Sequence, residues 1–232
     1  MKIALLGYGK MGKTIEKIAI ERGHTIVLKV DKDDTNYDLS EADVAIDFSI
    51  PSAAVNNITN CFNSGVPVIS GTTGWLSYYD MIVGLCKDKK GSFIYASNYS
   101  LGVNLFFELN KKLAKMMHPR EGYSVAMEEI HHTEKLDAPS GTAITLAEGI
   151  IENTNQNAWQ LDQGNENTIP ITAKRINNVP GTHTVTYSSQ VDDIEITHTA
   201  HNRNGFALGA VVAAEWLQDK KGVFGMKDVL GL

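Results

Sequence analysis

A short polar stretch in the middle of the chain contains the groups with the clearest chemistry. Residues 128–143 read Glu-Glu-Ile-His-His-Thr-Glu-Lys-Leu-Asp-Ala-Pro-Ser-Gly-Thr-Ala. Imidazole titrates near neutral pH, so we expect His131 to take up or release a proton without a large shift of its pKa. Lys135 follows four positions later, and its ammonium group can share that proton transfer or neutralise an anion.

The residues around this pair suit an anionic ligand. Neighbouring side chains on an extended chain point to opposite sides, so His131 and His132 should have different tasks, one at the reacting atom and one at a substrate carboxylate. Ser140 or Thr142 can cap the helix that follows. The free N–H groups of Gly141 and Thr142 can bind a carboxylate or a phosphate, and Gly141 lets a ligand approach the backbone closely.

Two other interpretations of the histidine pair compete with this one. Adjacent histidines can bind zinc, but no cysteine or third ligand follows at a suitable spacing, so we expect no metal. The histidines and the lysine can also be solvated surface residues without a role. The Asp137–Thr142 segment argues against that, because a polar loop shaped by Gly and Pro costs stability unless it binds something.

Composition and charge exclude several classes of partner. The 232 residues, 43% of them hydrophobic, suffice for one large or two modest domains. The net charge of -6 and a pI near 5.6 argue against nucleic acid or an anionic membrane as partner. We expect no signal peptide, and the longest apolar stretch, residues 206–217, is too short to span a bilayer. Cys61 and Cys86 have no ligand or redox spacing, which predicts reduced thiols in a cytoplasmic protein.

The N-terminal segment has the pattern of a dinucleotide-binding turn. A strand-like run, residues 2–6, leads into Gly-Tyr-Gly-Lys-Met-Gly at residues 7–12, and an amphipathic helix follows. In Gly-x-Gly-x-x-Gly the glycines allow a tight turn, a close approach of a pyrophosphate and close packing of helix on strand. A second strand, residues 25–30, ends at Asp31, where this fold places an acidic side chain on the adenosine ribose. Lys32 beside it can accept a 2′-phosphate, so NADH and NADPH both remain open.

Strand-like and helix-like segments continue to alternate up to residue 117. This order is typical of a parallel sheet with helices on both faces, a Rossmann-like doubly wound fold. Ligands of such sheets bind beyond the carboxyl ends of the strands. The loops to consider are therefore residues 48–51, 71–74 and 96–99. In the last of these, Asn98 and Tyr99 can meet the nicotinamide ring.

The pattern changes after residue 123. One helix-like segment is followed by strand-like runs without helices between them, which predicts a mixed or antiparallel sheet in a second domain. These runs are residues 168–176, 183–189 and 193–200. We interpret the polar residues 153–167 as an exposed loop. Arg175 and Arg203 are the cations of this half best suited to hold a carboxylate, with solvated surface positions as the alternative.

The histidine segment resembles the signature of the 4-hydroxy-tetrahydrodipicolinate reductase (dihydrodipicolinate reductase) family, through Glu129-x-His-His-x-x-Lys-x-Asp-Ala-Pro-Ser-Gly-Thr-Ala143. The resemblance extends over nearly the whole chain. It includes residues 7–12, 46–49, 71–74, 98–104, 201–210 and 226–230. Two features depart from the family pattern: the glycine loop is one residue shorter than Gly-x-x-Gly-x-Met-Gly, and few residues separate Asp31 from Val44.

The resemblance implies a domain organisation and a reaction. Residues 1–102 and 204–232 would form the dinucleotide-binding domain, and residues 103–203 a substrate-binding α+β domain whose open mixed sheet forms a homotetramer. The reaction would be reduction of a small cyclic dicarboxylate in diaminopimelate and lysine biosynthesis. Loss of the ring hydroxyl, hydride transfer from NADH or NADPH, and protonation would give tetrahydrodipicolinate.

The resemblance also implies roles for individual residues. His131 would be the catalytic proton donor or acceptor and Lys135 a second donor. The substrate carboxylates would be held by His132, Ser140, Gly141 and Thr142, to which we add Arg203 on account of its charge. The cofactor positions would be Gly7, Tyr8, Gly9, Lys10, Met11, Gly12, Asp31, Lys32, Gly71, Thr72, Thr73, Ala96, Ser97, Asn98 and Tyr99.

Two other functions stay open at this point. One is another two-domain dehydrogenase on the same scaffold, such as an aspartate or a semialdehyde dehydrogenase. Semialdehyde chemistry needs a nucleophilic cysteine in a polar loop, and neither Cys61 nor Cys86 lies in one. The other is a non-catalytic nucleotide sensor, which would bind the cofactor without turnover. The intact His-His-x-x-Lys loop argues against a sensor.

Overall fold

The structure is a computed structural model, and it describes residues 1–31, 34, 36–165, 167–202 and 204–232. The chain divides into two compact units, one of residues 1–104 and 204–232 and the other of residues 105–203. Among the described residues, no helix combines the length and the apolar character needed to cross a bilayer.

The regular elements follow one another in chain order. The strands are β1 (Lys2–Leu6), β2 (Thr25–Val30), β3 (Val44–Asp47), β4 (Val68–Ser70), β5 (Ser92–Tyr95), β6 (Ser124–His131), β7 (Ala158–Leu161), β8 (Thr168–Arg175), β9 (Gly181–Ser188), β10 (Asp193–Ala200) and β11 (Gly222–Phe224). The helices are α1 (Lys10–Glu21), α2 (Pro51–Asn63), α3 (Tyr79–Asp88), α4 (Leu101–Met117), α5 (Gly141–Ile151), α6 (Asn204–Leu217) and α7 (Met226–Leu230), with a short 3-10 helix at Leu76–Tyr78.

The sheet of the first unit is parallel and doubly wound, as the alternating pattern predicts. Its strand order is β11-β5-β4-β3-β1-β2, and each strand is parallel to its neighbours. Because β2 and β3 lie on either side of β1, the strand order reverses at β1. Such a reversal leaves a crevice at the carboxyl ends of the strands, and this is where doubly wound sheets bind their ligands.

The strands of this sheet are apolar on both faces because helices cover each side. Successive residues of β1 enter opposite cores. Ile3 and Leu5 belong to the core that includes residues of α1 and α6, whereas Ala4 and Leu6 belong to the core that includes residues of α2 and α3. This double burial fixes the strand ends, and therefore the loops that follow them.

The second unit is α+β and has a mixed sheet in the order β10-β9-β6-β8-β7. The central strand β6 is antiparallel to β9 and parallel to β8. Apolar residues of the sheet pack with those of α5 and of α4 beyond residue 104. This core includes Phe106, Ala114, Leu146, Ile150, Ile171 and Val185. The predicted fold class, a Rossmann-like sheet with a second α+β unit, is thus confirmed.

One local prediction is wrong. The polar residues 153–167 suggest an exposed loop, but Ala158–Leu161 form β7, which pairs with β8 in parallel. Trp159 packs partly against the core, while Ala158 and Gln160 stay exposed. The strand depends on hydrogen bonds from β8, and the amino-acid types within the segment do not reveal that partner.

The packing of α6 on the loop after β5 generates a stability prediction. A Cβ atom at Gly209 would lie 1.7 Å from the carbonyl oxygen of Tyr99, so an alanine would force the helix away from the loop. We expect Gly209→Ala to lower the free energy of unfolding in urea by about 2 to 3 kcal/mol, the usual penalty of overpacking. Gly84→Ala in α3 is the control, because no atom lies within 4 Å of its Cβ position. It should raise stability by up to about 1 kcal/mol through helix propensity. Equal stability of the two variants would contradict the close approach.

Candidate active site

The histidine segment is a strand-to-helix loop, as its sequence predicts. Strand β6 ends at His131, and α5 begins at Gly141. The Ala138–Pro139 peptide bond within the loop is cis. The strand end is anchored in the central strand of the sheet, so the first histidine of the loop has a fixed position.

Three side chains meet around this strand end. Glu129 and His131 lie two residues apart on β6 and therefore share a face of the sheet, with Glu129 Oε2 lying 3.6 Å from His131 Nδ1. His183 on β9 pairs directly opposite Glu129. Its Nε2 lies 3.7 Å from the same Oε2, and its ring is T-shaped to that of His131, with centroids 5.0 Å apart.

The Glu129 side chain is fully buried and has donors on both carboxylate oxygens. Arg175 Nη2 donates to Oε1 at 3.2 Å, and the backbone N–H of Ser140 donates to Oε2 at 3.0 Å. Burial raises the pKa of this carboxyl group, but the hydrogen bonds from His183 and Ser140 outweigh burial and lower the pKa to about 2. Glu129 is therefore ionised at neutral pH.

The imidazole of His131 is neutral at pH 7. Only 7% of this residue is exposed. Burial first, and then electrostatic interactions with His183, Lys135 and Arg175, lower the pKa of His131 to about 4, against the opposing effect of Glu129. The expectation that His131 works without a large pKa shift is therefore wrong, because the strand end is enclosed rather than solvated.

Lys135 and Arg175 organise the loop itself. The ammonium group of Lys135 donates to both carboxylate oxygens of Asp137 at 2.8 Å, and this hydrogen bond lowers the pKa of Asp137. Arg175 donates to the carbonyl oxygens of Lys135 and Asp137, at 3.3 and 2.6 Å. The sequence suggests Arg175 as a ligand for a substrate carboxylate, but four of its five N–H donors already bond to Glu129 and to the carbonyl oxygens of Lys135, Asp137 and Lys174.

The start of α5 has the form of an anion-binding site. Ser140 is the N-cap, since its Oγ accepts the N–H of Ala143 at 3.2 Å, as the sequence predicts. Outside its own turn, no atom of the described residues lies within 4 Å of a Cβ position at Gly141, so a ligand can reach the backbone N–H groups there. Thr142 and His132 are half-buried. Arg203, the other predicted carboxylate ligand, lies outside the described residues.

Glu129, His131 and His183 also offer three ligand atoms within 4.8 Å of one another. The spacing of the adjacent histidines His131 and His132 does not predict this group, because the fold brings His131 together with His183 instead. The positive charges of Lys135 and Arg175 lower the pKa of His131 and oppose a cation for the same reason. Because both oxygens of Glu129 already accept hydrogen bonds from Arg175 and Ser140, we treat the three side chains as an electrostatic group with the carboxylate between two imidazoles.

His183 is a site residue that our sequence analysis does not identify. A signal for it exists in β9, where burial alternates along the strand. His183 has the same phase as the buried Val185 and Tyr187, so alternation places its imidazole inside the unit. An inward-facing histidine needs a polar partner, and the antiparallel register of β9 with β6 supplies Glu129.

In the first unit, the glycine loop fits a pyrophosphate. Gly9 is the N-cap of α1 and makes no side-chain cap. Among the described residues, no atom beyond its chain neighbours lies within 4 Å of a Cβ position at Gly9. A Cβ at Gly7 would lie 2.2 Å from the Phe48 carbonyl oxygen, and one at Gly12 would lie 2.3 Å from the Gly7 carbonyl oxygen. The first and third glycines therefore serve close packing, and the second leaves space for a ligand.

The remaining positions of the loop have different surroundings. The Tyr8 hydroxyl donates to Glu16, and the ammonium group of Lys29 lies 4.8 Å from the centroid of the Tyr8 ring. Lys10 is exposed, and Met11 packs partly against the core. Tyr8 is thus held through its hydroxyl by Glu16 of α1 and through its ring by Lys29 of β2.

The predicted ribose ligand lies next to the glycine loop. The carbonyl oxygen of Val30 accepts the N–H groups of Gly7 and Tyr8, at 2.9 and 3.0 Å, so β2 ends beside the loop. Asp31 follows and is exposed. This is the position at which doubly wound sheets contact the adenosine ribose. Lys32 lies outside the described residues.

A buried carboxylate connects the loops that follow β3 and β4. Asp47 accepts hydrogen bonds from Ser49 Oγ, Asn57 Nδ2, Ser70 Oγ and Thr72 Oγ1, at 2.6, 3.1, 2.7 and 2.9 Å. Burial raises the pKa of Asp47 despite these four bonds. The side chain of Thr72 is thus turned inward, and a ligand can use only the backbone at this position.

The other predicted cofactor positions differ in accessibility. Thr73 and Ser97 are exposed, whereas Gly71, Ala96 and Asn98 are half-buried. The structure corrects the expectation that the Tyr99 ring meets the nicotinamide. Tyr99 is only 1% exposed, and its hydroxyl donates to the carbonyl oxygens of Ser70 and Ile94. The alternating pattern locates the loop, but the large ring packs into the core beneath it.

Comparison with known proteins agrees with this geometry. The model of the dihydrodipicolinate reductase N-terminus matches residues 1–99, and that of the C-terminus matches residues 102–230. The 4-hydroxy-tetrahydrodipicolinate reductase of Christiangramia forsetii is 64% identical over 99% of this chain and 98% of that protein. The enzyme of the same name from Neisseria meningitidis serogroup B is 34% identical over 94% of this chain and 84% of that protein.

Solved structures show the same fold. The dipicolinate-bound dihydrodipicolinate reductase from Paenisporosarcina sp. TG-14 has a TM-score of 0.78 at 22% identity and covers 97% of both chains. The aspartate dehydrogenase from Thermotoga maritima has a TM-score of 0.51 at 14% identity, over 97% of this chain and 99% of that chain. The scaffold is thus shared with other dehydrogenases, whereas the two family models and the close relative are specific. This chain belongs to the dihydrodipicolinate reductase family.

Proposed function

We propose that this chain is a 4-hydroxy-tetrahydrodipicolinate reductase. Each turnover takes up the substrate, NADH or NADPH and one proton, and it releases tetrahydrodipicolinate, the oxidised cofactor and water. One observation supports the proposal most directly. The carboxylate of Glu129 accepts the N–H of Ser140 at the start of α5, where an anion can bind, and also lies 3.6 Å from Nδ1 of His131, the proton-transfer group. The 64% identity to a reductase of this name supports the choice of substrate.

The substrate is a dianion, and the second unit offers groups for both charges. The N–H groups at Gly141 and Thr142 suit one carboxylate, because a helix N-terminus combines free donors with a favourable dipole. The second carboxylate would be bound by Lys135 and His132, together with Arg203. Ser140 acts by capping the helix and holding its first turn in place. For the two N–H groups, the assignment is supported by the open start of α5, and for Arg203 by its charge alone.

His131 or Lys135 would donate the proton that each turnover requires. The reduced nicotinamide, when bound, supplies a hydride to the ring. His131 is neutral at rest, so it can take a proton from solvent or substrate and return it, whereas Lys135 already carries one. A positive group beside the ring also stabilises the negative charge that develops during reduction, and preorganised charges of this kind are a large part of catalysis.

We propose that the cofactor binds at the carboxyl ends of the first sheet. Gly9 and the first turn of α1 would take the pyrophosphate, and Asp31 the ribose. The exposed or half-buried positions in the later loops would line the nicotinamide end, through Gly71, Thr73, Ala96, Ser97 and Asn98. This arrangement serves NADH and NADPH alike, because Asp31 favours a free ribose hydroxyl and the neighbouring Lys32 a phosphate.

The described thiols do not support a semialdehyde dehydrogenase. That chemistry needs an accessible cysteine with a lowered pKa. Cys61 and Cys86 are buried free thiols in α2 and α3, and burial raises the pKa of both. We further propose that the protein works in the cytoplasm as a homotetramer within diaminopimelate and lysine biosynthesis, as the family resemblance of its sequence implies.

A coupled assay tests the function. A synthase generates the unstable substrate from pyruvate and aspartate semialdehyde. The reduction is followed by the loss of the near-ultraviolet absorbance of NADH or NADPH. We expect absorbance to fall only when synthase, both synthase substrates and this protein are present. Cofactor binding without any loss of absorbance would support a nucleotide sensor instead.

Lys135→Ala separates chemistry from cofactor binding. We expect kcat to fall by at least about 100-fold, the usual contribution of a positioned proton donor, while the Kd for NADH stays within about twofold. The exposed Lys115→Ala in α4 is the matched control and should keep both values. A parallel loss of NADH affinity would remove Lys135 from the role proposed here.

The neutral state of His131 predicts a dependence of stability on pH. The ordinary pKa of 6.5 applies in the unfolded chain and about 4 in the folded one, so between these values only the unfolded chain binds the proton. Stability should therefore fall as the pH falls through this window, by up to about 1.4 kcal/mol per pH unit. In urea unfolding, His131→Asn should show a shallower dependence than the wild type. His118→Asn, at an exposed position, should keep the wild-type slope; identical slopes in both variants would refute the buried neutral imidazole.

A further inference from the structure

We infer that His183 is a positioning residue for the dicarboxylate site, acting with Glu129 through Ser140. His183 is 5% exposed, and the proposed function does not use it. Its Nε2 lies 3.1 Å from Ser140 Oγ and 3.7 Å from Glu129 Oε2. The inference rests on the proposed function, because it concerns the helix start to which we assign a substrate carboxylate.

Ser140 is held at two separate points. Its backbone N–H donates to Glu129 at 3.0 Å, which fixes the main chain just before α5. Its side chain lies between His183 and the N–H of Ala143, and the latter bond caps the helix. Loss of either anchor leaves the residue free to rotate about the other. The N–H groups of Gly141 and Thr142 would then no longer be aligned to bind the same carboxylate.

The hydrogen-bond network also assigns the proton of His183. Glu129 is ionised and Ser140 Oγ has a free lone pair, so Nε2 carries the hydrogen and donates toward these two oxygens. The other ring nitrogen, Nδ1, is buried and has no hydrogen-bond partner among the described residues. A hydrogen on Nε2 therefore satisfies the contacts of His183 with Ser140 and Glu129.

The same carboxylate orients the proton-transfer group. Nδ1 of His131 faces Glu129 Oε2 at 3.6 Å, and the negative charge favours a hydrogen on this nitrogen. Nε2 then keeps the lone pair that exchanges the proton. Gly181, at the start of β9, gives this nitrogen its space, since a Cβ there would lie 3.1 Å from Nε2. His183 and Glu129 thus act together on the anion site and on the histidine beside it.

The test compares His183→Ala, His183→Gln and His183→Asn in the coupled assay and in calorimetric binding of dipicolinate, a planar diacid probe. A Gln amide can reach Ser140 Oγ from about the position of Nε2, whereas an Asn amide ends one carbon short. We expect Ala and Asn to raise KM for the substrate and Kd for dipicolinate about tenfold, the effect of losing one hydrogen bond, with kcat changed less. Gln should restore most of the loss, and NADH affinity should stay constant in all three.

His198→Ala is the control for lost packing, because this histidine lies opposite His183 on β10 and packs against Phe106. It should leave KM within about twofold. Unchanged KM and Kd in the His183 variants, or an equal loss in Gln and Asn, would overturn the inference. The Gln and Asn pair decides if the Ala variant does not fold. A wild-type protein that binds dipicolinate but does not oxidise NADH or NADPH would refute the proposed function and leave this inference standing.

Discussion

The buried charge of Glu129 is the constraint on which the candidate site depends. An ionised carboxylate without solvent is tolerated only where donors and positive charges converge on it. In this unit they come from three elements: Arg175 on β8, His183 on β9 and Ser140 at the start of α5. The requirement to satisfy one side chain therefore fixes the relative positions of two strands and a helix. The positions of His131 and of the first turn of α5 follow from that requirement.

The first unit uses a buried carboxylate differently. Asp47 accepts bonds from three hydroxyl groups and one amide, all of them neutral, and burial still raises its pKa. Glu129 has a guanidinium and a backbone N–H as well as its imidazole neighbours, and its pKa is lowered. The first arrangement holds loops together at the edge of a sheet. The second keeps a permanent negative charge beside two imidazoles, where it can decide which nitrogen carries the hydrogen.

Local patterns in the sequence predict most of the fold and part of the site. The spacing of glycines between β1 and α1, the alternation of apolar runs and the cap at Ser140 are all properties of short segments. What depends on distant partners is not predicted. Strand β7 exists because β8 pairs with it, and His183 meets Glu129 because of the register of β9 on β6. Likewise, only three-dimensional enclosure explains why His131 has a pKa of about 4 or why Tyr99 is a core residue.

The pairing of Lys135 with Asp137 has a consequence for selectivity. The ammonium group is already neutralised, through both oxygens, by a carboxylate of its own loop. An acid that takes the place of this internal carboxylate at Lys135 exchanges one ion pair for another, so the number of ion pairs is unchanged. Attraction between opposite charges then contributes little to choosing among acids. Selectivity among acids then depends on their size and shape. An acid binds when its second carboxylate and its ring make contacts that the Asp137 side chain cannot make.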